Sequence, residues 1–108
     1  MATLERVLQG DFDAILAGIE NGIMKGSVSA SLEDSSDFTA GKCRCAVRVF
    51  ERYSMLGSNR VSMNVTVFQG EDGVIHLSAI TSGGSQAMFF KINTFGEEAF
   101  LNTLEKIL

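Results

Sequence analysis

The hydrophobic pattern changes from a helical period to a two-residue period near residue 26. Between residues 11 and 25, large apolar side chains recur every three or four positions, which places them on one face of a helix. These residues are Phe12, Ile15, Leu16, Ile19 and Ile23. Asp11 stands at the position of an N-cap, and Gly26 stands where the helix should end. The pattern therefore predicts a helix over residues 11–25.

A row of small residues follows the same predicted helix, at Ala14, Gly18 and Gly22. A glycine inside a helix costs on the order of 1 kcal/mol relative to alanine, so its presence indicates a close neighbour. That neighbour could be a helix of a second subunit or the sheet of the same chain. We favour the sheet of the same chain.

Four stretches after residue 26 alternate between apolar and polar residues, which is typical of strands with one buried face. Their apolar residues are Val28, Ala30 and Leu32, then Cys43, Cys45, Val47 and Val49, then Val61, Met63, Val65 and Val67, and last Ile75, Leu77 and Ala79. A polar loop over residues 34–41, a turn at 56–59 and a hairpin at 70–73 separate them. The sequence thus predicts an antiparallel meander.

The two ends of the chain complete the predicted fold. Residues 3–9 fit a helix or a short strand, and we favour the strand. Residues 82–85 break the last strand, and residues 86–92 are predicted as a short extended segment. Thr94 and Glu97 form a capping box before an apolar stripe. The stripe consists of Phe100, Leu101, Leu104, Ile107 and Leu108.

These elements predict one α+β domain over residues 1–108, with the order strand, helix, four-stranded antiparallel meander, helix. Two helices packed on the apolar face of the sheet would leave its other face open. The length of 108 residues suits a single domain. With 45% hydrophobic residues, the chain is rich enough in apolar surface to build a core without disulfides.

The polar face of the meander is the most informative candidate site. Alternation assigns to it Lys42, Arg44, Arg48, Phe50, Arg52, Arg60, Ser62, Asn64, Thr66, Phe68, His76 and Ser78. Five of the nine basic residues of a chain with net charge −4 would then lie together. Such a face could bind an anionic ligand or stack bases, but the acidic balance makes nucleic acid an unlikely partner. A solvated face, or one covered by another subunit, is the interpretation we favour.

Catalytic and metal chemistry have little support in the sequence. His76 is the only histidine, and alternation places it on the face opposite Cys43 and Cys45, with a strand between them. A Cys–His dyad is therefore not expected, and an enzyme using His76 is the least favoured function. One histidine and one Cys-x-Cys also fall short of a four-ligand zinc set, so no metal or cofactor is expected.

The compartment is constrained by charge and by cysteine spacing. Charged residues near the N-terminus leave no room for the apolar stretch of a secretory signal, and the uncharged stretch 73–90 is too polar to span a membrane. Cys43 and Cys45 would project side by side from one strand face, a poor geometry for a disulfide. We expect a cytoplasmic protein with reduced thiols.

Two stretches resemble a family of small bacterial proteins of unknown function, about 110 residues long. They are Glu51-Arg52-Tyr53-Ser54 running into Asn59-Arg60-Val61-Ser62, and residues 80–98, Ile-Thr-Ser-Gly-Gly-Ser-Gln-Ala-Met-Phe-Phe-Lys-Ile-Asn-Thr-Phe-Gly-Glu-Glu. The resemblance covers nearly the whole chain and implies a bacterial stand-alone domain. It carries no reaction and no ligand. The order of elements is similar to the helix-grip and TATA-binding-protein-like folds, which host unrelated functions.

We expect a non-catalytic domain that acts by binding or by self-association. One hypothesis is a homodimer or small homo-oligomer, formed through the open sheet face or the segment 88–90. The other is a binder of a small apolar or anionic ligand, with a pocket between the sheet and the C-terminal helix. The residues expected near that pocket are Met63, Met88, Phe89, Phe90 and Phe100.

Overall fold

A five-stranded antiparallel sheet carries two helices on one of its faces. The computed structural model describes the backbone of residues 1–54, 59–83 and 90–108, and the side chains of residues 1–53, 60–83 and 97–108. The elements are β1 (Ala2–Leu8), α1 (Phe12–Gly26), β2 (Ser31–Ala40), β3 (Cys43–Ser54), β4 (Asn59–Gln69), β5 (Ile75–Gly83) and α2 (Phe90–Ile107). The predicted α+β class and the predicted order of elements are both confirmed.

The strand order in the sheet is β1-β5-β4-β3-β2, so the first strand lies beside the last one. Leu4 of β1 is opposite Ala79 of β5, and both are buried under the helices. The strand that we favoured over residues 3–9 is therefore confirmed. Its pairing with β5 leaves β1 and β2 as the two edges of the sheet.

The core lies between the sheet and the helices. α2 packs on β1, β4 and β5, and α1 packs on α2. Fully buried side chains include Ile19, Ile23, Val61, Met63, Val65, Val67, Ile75, Phe100 and Leu104. Phe12 and Phe100, predicted to be core residues from helical spacing, are indeed buried. The Asp11 side chain caps α1 by accepting a hydrogen bond from the Ala14 backbone N–H at 2.9 Å.

The position of β2 differs from the prediction. Residues 27–30 lie outside the strand, with Val28 exposed, while most of the predicted polar loop 34–41 belongs to β2. The strand is fixed by its ladder to β3 and by the tight connection at residues 41–42, where Gly41 has a φ of 61°. An edge strand with both faces largely exposed needs no apolar alternation, so the pattern could not reveal it.

The start of α2 also differs from the prediction. The helix begins at Phe90, so the capping box at Thr94 and Glu97 falls inside it, and residues 90–92 are helical rather than extended. The Glu97 carboxylate does not cap the start of the helix. It is buried and lies 2.9 Å from the Met1 amino group. The turn at 56–58, residues 84 and 85, and Met88 and Phe89 lie outside the described residues.

Gly22, one of the small residues of α1, faces α2 rather than the sheet, which corrects our prediction for that position. A Cβ atom added at Gly22 would lie 2.5 Å from Ile107 Cδ1, and one added at Gly26 would lie 2.7 Å from Thr103 Cγ2. A Cβ atom added at Gly18 would meet nothing within 4 Å. Gly22 and Gly26 therefore permit the close approach of the two helices, whereas Gly18 has open space beside it.

Gly18→Ala is expected to stabilise the protein by about 0.5–1 kcal/mol, because alanine favours the helix and nothing obstructs its methyl group. Gly22→Ala should raise the free energy of unfolding by less, since the gain in helix propensity is offset by displacement of Ile107. Urea unfolding of the two variants, each compared with the parent, measures both effects. Equal stabilisation by the two substitutions would contradict the close α1–α2 contact.

Candidate functional site

The arginines of β3 lie on the helix-covered face of the sheet, not on the open face as predicted. Ala46 and Phe50 are completely buried and stand opposite Val67 and Met63 of β4, which are core residues. Residues two apart on a strand share a face, so the arginines that lie two positions from Ala46 or Phe50 also point towards the helices. These arginines are Arg44, Arg48 and Arg52. The predicted basic surface, including its Phe50, is therefore wrong.

Arg44 and Arg48 bind α1 to the sheet. Arg44 donates to the Asp13 carboxylate at 2.8 Å, and its guanidinium lies 4.1 Å from the centre of the Phe12 ring. The hydrogen bond and charge of Arg44 hold the pKa of Asp13 below its usual value. Arg48 is buried and donates to Glu20 at 2.7 Å. Both arginines extend their aliphatic stems along the sheet and place their charge beside an acid of the helix.

Arg48 and Arg52 extend this contact to β2 and α2. Arg48 also donates to Asp37 of β2 at 2.9 Å, so one guanidinium joins the edge strand to α1. Arg52 lies 4.7 Å from the centre of the Phe100 ring and donates to Thr103 Oγ1 at 3.3 Å. Burial lowers the pKa of Arg52. These side chains hold the layers together, and Arg44 and Arg48 are already neutralised by acids of the same chain.

The open face is the sheet surface opposite the helices. It carries the β3 side chains that point away from the helices. The strand register aligns its side chains in rows that run across the sheet. The first row consists of Phe38, Cys45, Phe68, His76 and Val7, in the order β2 to β1. No element of the described chain packs on this face, and Phe68 is exposed there as predicted.

Three adjacent rows on the three central strands of the open face contain no acidic or basic residue other than one histidine. We call this surface the neutral panel. Its nine residues are Cys45, Val47 and Val49 of β3, Asn64, Thr66 and Phe68 of β4, and His76, Ser78 and Ile80 of β5. Large apolar groups remain exposed on and beside it: Ile80 is 45% exposed, Phe68 40%, and the flanking Val7 and Phe38 are 65% and 58% exposed.

Charged groups of the open face lie at its margins. Glu5 belongs to the edge strand β1 and Asp34 to the edge strand β2. Glu51 and Arg60 lie beyond the panel and pair with each other at 2.8 Å, so they largely cancel. The face therefore has a nearly uncharged centre and an acidic rim.

Cys45 and His76 share the open face, which corrects the prediction that they lie on opposite faces. Phe68 stands between them in the same row, so two strand spacings of about 4.8 Å each separate the two backbones. This distance prevents a hydrogen-bonded Cys–His dyad, as the intervening strand had indicated. Among the described residues, no three His, Cys, Asp or Glu side chains come together as metal ligands would.

A shallow hollow of about 410 Å³ lies at the β1 side of the open face. The open-face side chains that line it are Glu5, Val7, Thr66, Phe68, His76 and Ser78. A second hollow of about 340 Å³ lies between α1, α2 and the end of β1, next to Gly18 and Ile107. Met63 and Phe100 are fully buried in the core, so the described part of the predicted ligand pocket is filled by packed side chains.

The two cysteines differ in accessibility. Cys43 is partly exposed, whereas Cys45 is 8% exposed between Phe38 and Phe68. Burial raises the pKa of the Cys45 thiol, and the charge of Asp37 raises it further. Both effects lower the fraction of reactive thiolate at neutral pH.

At neutral pH, iodoacetamide is expected to alkylate Cys43 at least about tenfold faster than Cys45. Trypsin cleaves after Lys42 and Arg44, so the two cysteines fall on different peptides and mass spectrometry can follow each rate separately. Alkylation in denaturant provides the control, because both rates should then be similar. Equal rates in the native protein would contradict the burial of Cys45.

Comparison with known proteins places the whole chain in one family. Residues 1–108 match the family model described as "Family of unknown function (DUF6054)", so the chain belongs to this family. The resemblance to a family of unknown function that spans the chain is thereby confirmed. No curated protein matches the chain. None of the described helices combines the length and the apolar character needed to cross a membrane.

Proposed function

We propose that this member of the DUF6054 family is a non-catalytic self-association domain that forms a homodimer. Two copies pack their open faces against each other, so that two helix-covered sheets enclose a second, inter-subunit layer of side chains. The two-fold symmetric contact would use the same surface on both copies. Twisted sheets of the same hand pack in this way with their strands at about −30°.

The observation that carries the proposal is the neutral panel. About a fifth of the chain is charged, yet nine neighbouring positions on three strands hold no acidic residue, lysine or arginine. The centres of protein interfaces are depleted of charged residues and enriched in aromatic ones, as this panel is at Phe68. A face that is exposed only to water has no need for such a composition.

The area of the open face is sufficient for a stable dimer. Five strands about 4.8 Å apart, with on average about four open-face side chains per strand about 7 Å apart, span roughly 650 Å² on each copy, rim included. Two copies would bury about 1,300 Å², which exceeds the area of about 1,000 Å² that a specific interface needs. The exposed side chains of Phe38, Phe68 and Ile80 would provide most of the apolar contact.

Charge favours a second copy over an anionic partner. Arg44 and Arg48, which could have attracted an anion, are paired with acids on the helix-covered side. Among the described residues, the arginine on the open face is Arg60, and it is paired with Glu51. Two neutral panels can approach without charge repulsion, and Glu5 and Asp34 lie at the periphery of the contact, where water still reaches their carboxylates.

The edges of the sheet are less suited to self-association. β2 carries three acidic residues, at positions 33, 34 and 37, and two copies paired along this edge would bring like charges together. A register shift between Leu32 and Asp34 further interrupts the regular ladder. The proposed dimer therefore forms through the face of the sheet. The setting that we propose is the cytoplasm, where Cys43 and Cys45 would remain reduced.

Sedimentation equilibrium at neutral pH tests the proposal. We expect a monomer–dimer equilibrium whose dimer fraction rises between low and high micromolar concentration. A chain that remains monomeric over the whole range would overturn the proposal. Exchange of backbone amide hydrogens around Phe68 and Ile80 should also slow with rising concentration, relative to amides of α1.

A further inference from the structure

His76 is the one histidine among the nine residues of the neutral panel. It is exposed in the single chain and belongs to the same row as Phe68 and Val7. It is also the only histidine of the chain. Histidine side chains take up a proton between about pH 5 and pH 8, whereas the other panel residues keep one charge state over that range.

The surroundings of His76 offer one nearby counter-charge. From β1, Glu5 lines the same hollow, and Val7 stands directly opposite. From β4, Thr66 and Phe68 are uncharged. Arg6 borders the hollow, but its guanidinium is paired with Glu105 on the helix-covered side. In the proposed dimer, the surface that approaches from the second copy is again a neutral panel, which carries a second His76.

We propose that protonation of His76 dissociates the dimer, so that the open face acts as a pH-dependent contact. This inference rests on the proposed self-association. In the monomer the imidazolium is solvated by water and lies near Glu5. In the dimer it would be taken out of water among Phe68, Val7 and the facing panel, an environment that disfavours a charge.

The direction and size of the effect follow from proton linkage. Because the monomer binds protons more readily than the dimer, the dissociation constant rises as the pH falls. Each dimer contains two copies of His76. The dissociation constant can therefore increase by at most about 100-fold per pH unit, and it levels off above the range in which histidine titrates.

The test measures the dimer dissociation constant by sedimentation equilibrium between mildly acidic and mildly alkaline pH. We expect at least about tenfold weaker dimerisation at the acidic end for the parent chain. A His76→Gln variant, which cannot take up the proton, should dimerise with a nearly constant affinity over this range. A Glu5→Gln variant removes the nearby counter-charge and should retain a weaker pH dependence than the parent.

The outcomes separate this inference from the proposed function. A chain that is monomeric at every pH overturns the proposed dimer itself. A dimer whose affinity is constant with pH, or whose pH dependence survives in His76→Gln, overturns only the role of His76. Loss of the dependence in Glu5→Gln would also overturn it, because the carboxylate would then be the group that titrates.

Discussion

A Phe68→Glu variant is expected to remain monomeric at concentrations where the parent chain is a dimer. Phe68 lies in the middle strand of the neutral panel and is flanked by Cys45 and His76 in the same row. A two-fold contact would bury the introduced carboxylate twice, without a lysine or arginine on the panel to pair with it. Loss of one central aromatic anchor commonly costs about 2 kcal/mol, so the dissociation constant should rise about 30-fold or more.

Met24→Glu provides the matched control for this experiment. Met24 lies on α1 and is 43% exposed, nearly the same as the 40% exposure of Phe68, but it is on the other side of the molecule. Its replacement removes a similar exposed apolar group and adds the same charge. Dimerisation of Met24→Glu should equal that of the parent. If both variants weaken the dimer equally, or neither does, the open face is not the contact surface.

Phe50→Ala is expected to destabilise the fold by about 3–5 kcal/mol, because Phe50 is completely buried and its removal leaves a cavity between β3 and the helices. Domains of this size are stable by about 5–15 kcal/mol, so the variant should retain little margin. Phe68→Ala removes the same side chain from the open face and should cost less than about 1 kcal/mol in dilute solution. Urea unfolding at low protein concentration measures both.

Phe50→Leu keeps this comparison usable if Phe50→Ala does not fold. The smaller truncation should cost about 1–2 kcal/mol and still exceed the cost of Phe68→Leu. The comparison tests which face of β3 points to the core. Similarly small losses at the two positions would mean that the alternation predicted from the sequence, with both Phe50 and Phe68 outside, is the correct one.

The pattern of apolar and polar residues correctly predicted the orientation of the elements whose core face is apolar and whose other face is mostly polar. In β4 and β5 the apolar positions of the predicted alternation, such as Met63 and Leu77, point to the core, and α1 buries the predicted stripe around Ile19. The pattern in these elements reports burial directly, because the residues that alternate with the core positions are mostly polar. Their orientation was therefore predictable from residue order alone.

For β3 the same rule predicted the wrong orientation, because neither face of this strand is simply solvated. The valines of one face belong to the exposed panel, while the arginines of the other are held against the helices by Asp13 and Glu20. The sequence contains one signal for this orientation, since Ala46 and Phe50 lie two positions from the arginines and therefore share their face. Asp13 and Glu20 are also about 10 Å apart on α1, comparable with the distance of about 13 Å between Arg44 and Arg48 on a strand.

The candidate site was accordingly predicted only in part. Asn64, Phe68 and His76 were assigned to the open face and lie there. Val47 and Val49 were missed, because β-branched residues in a strand are normally taken as core. No local pattern distinguishes an apolar residue buried in its own chain from one exposed on a panel, since the difference depends on which elements cover the strand.

The pairing of β1 with β5 has a consequence for the synthesis of the protein. A ribosome releases β1 and α1 first, yet Leu4 finds its partner Ala79 only after four further strands have been made. Until then Leu4 has no strand beside it, although β2, β3 and β4 can already pair with one another. Contacts between segments so distant in sequence form slowly, because a long loop must close before they are gained. Folding of this domain is therefore expected to be completed after β5 has left the ribosome, with the first strand among the last to be placed.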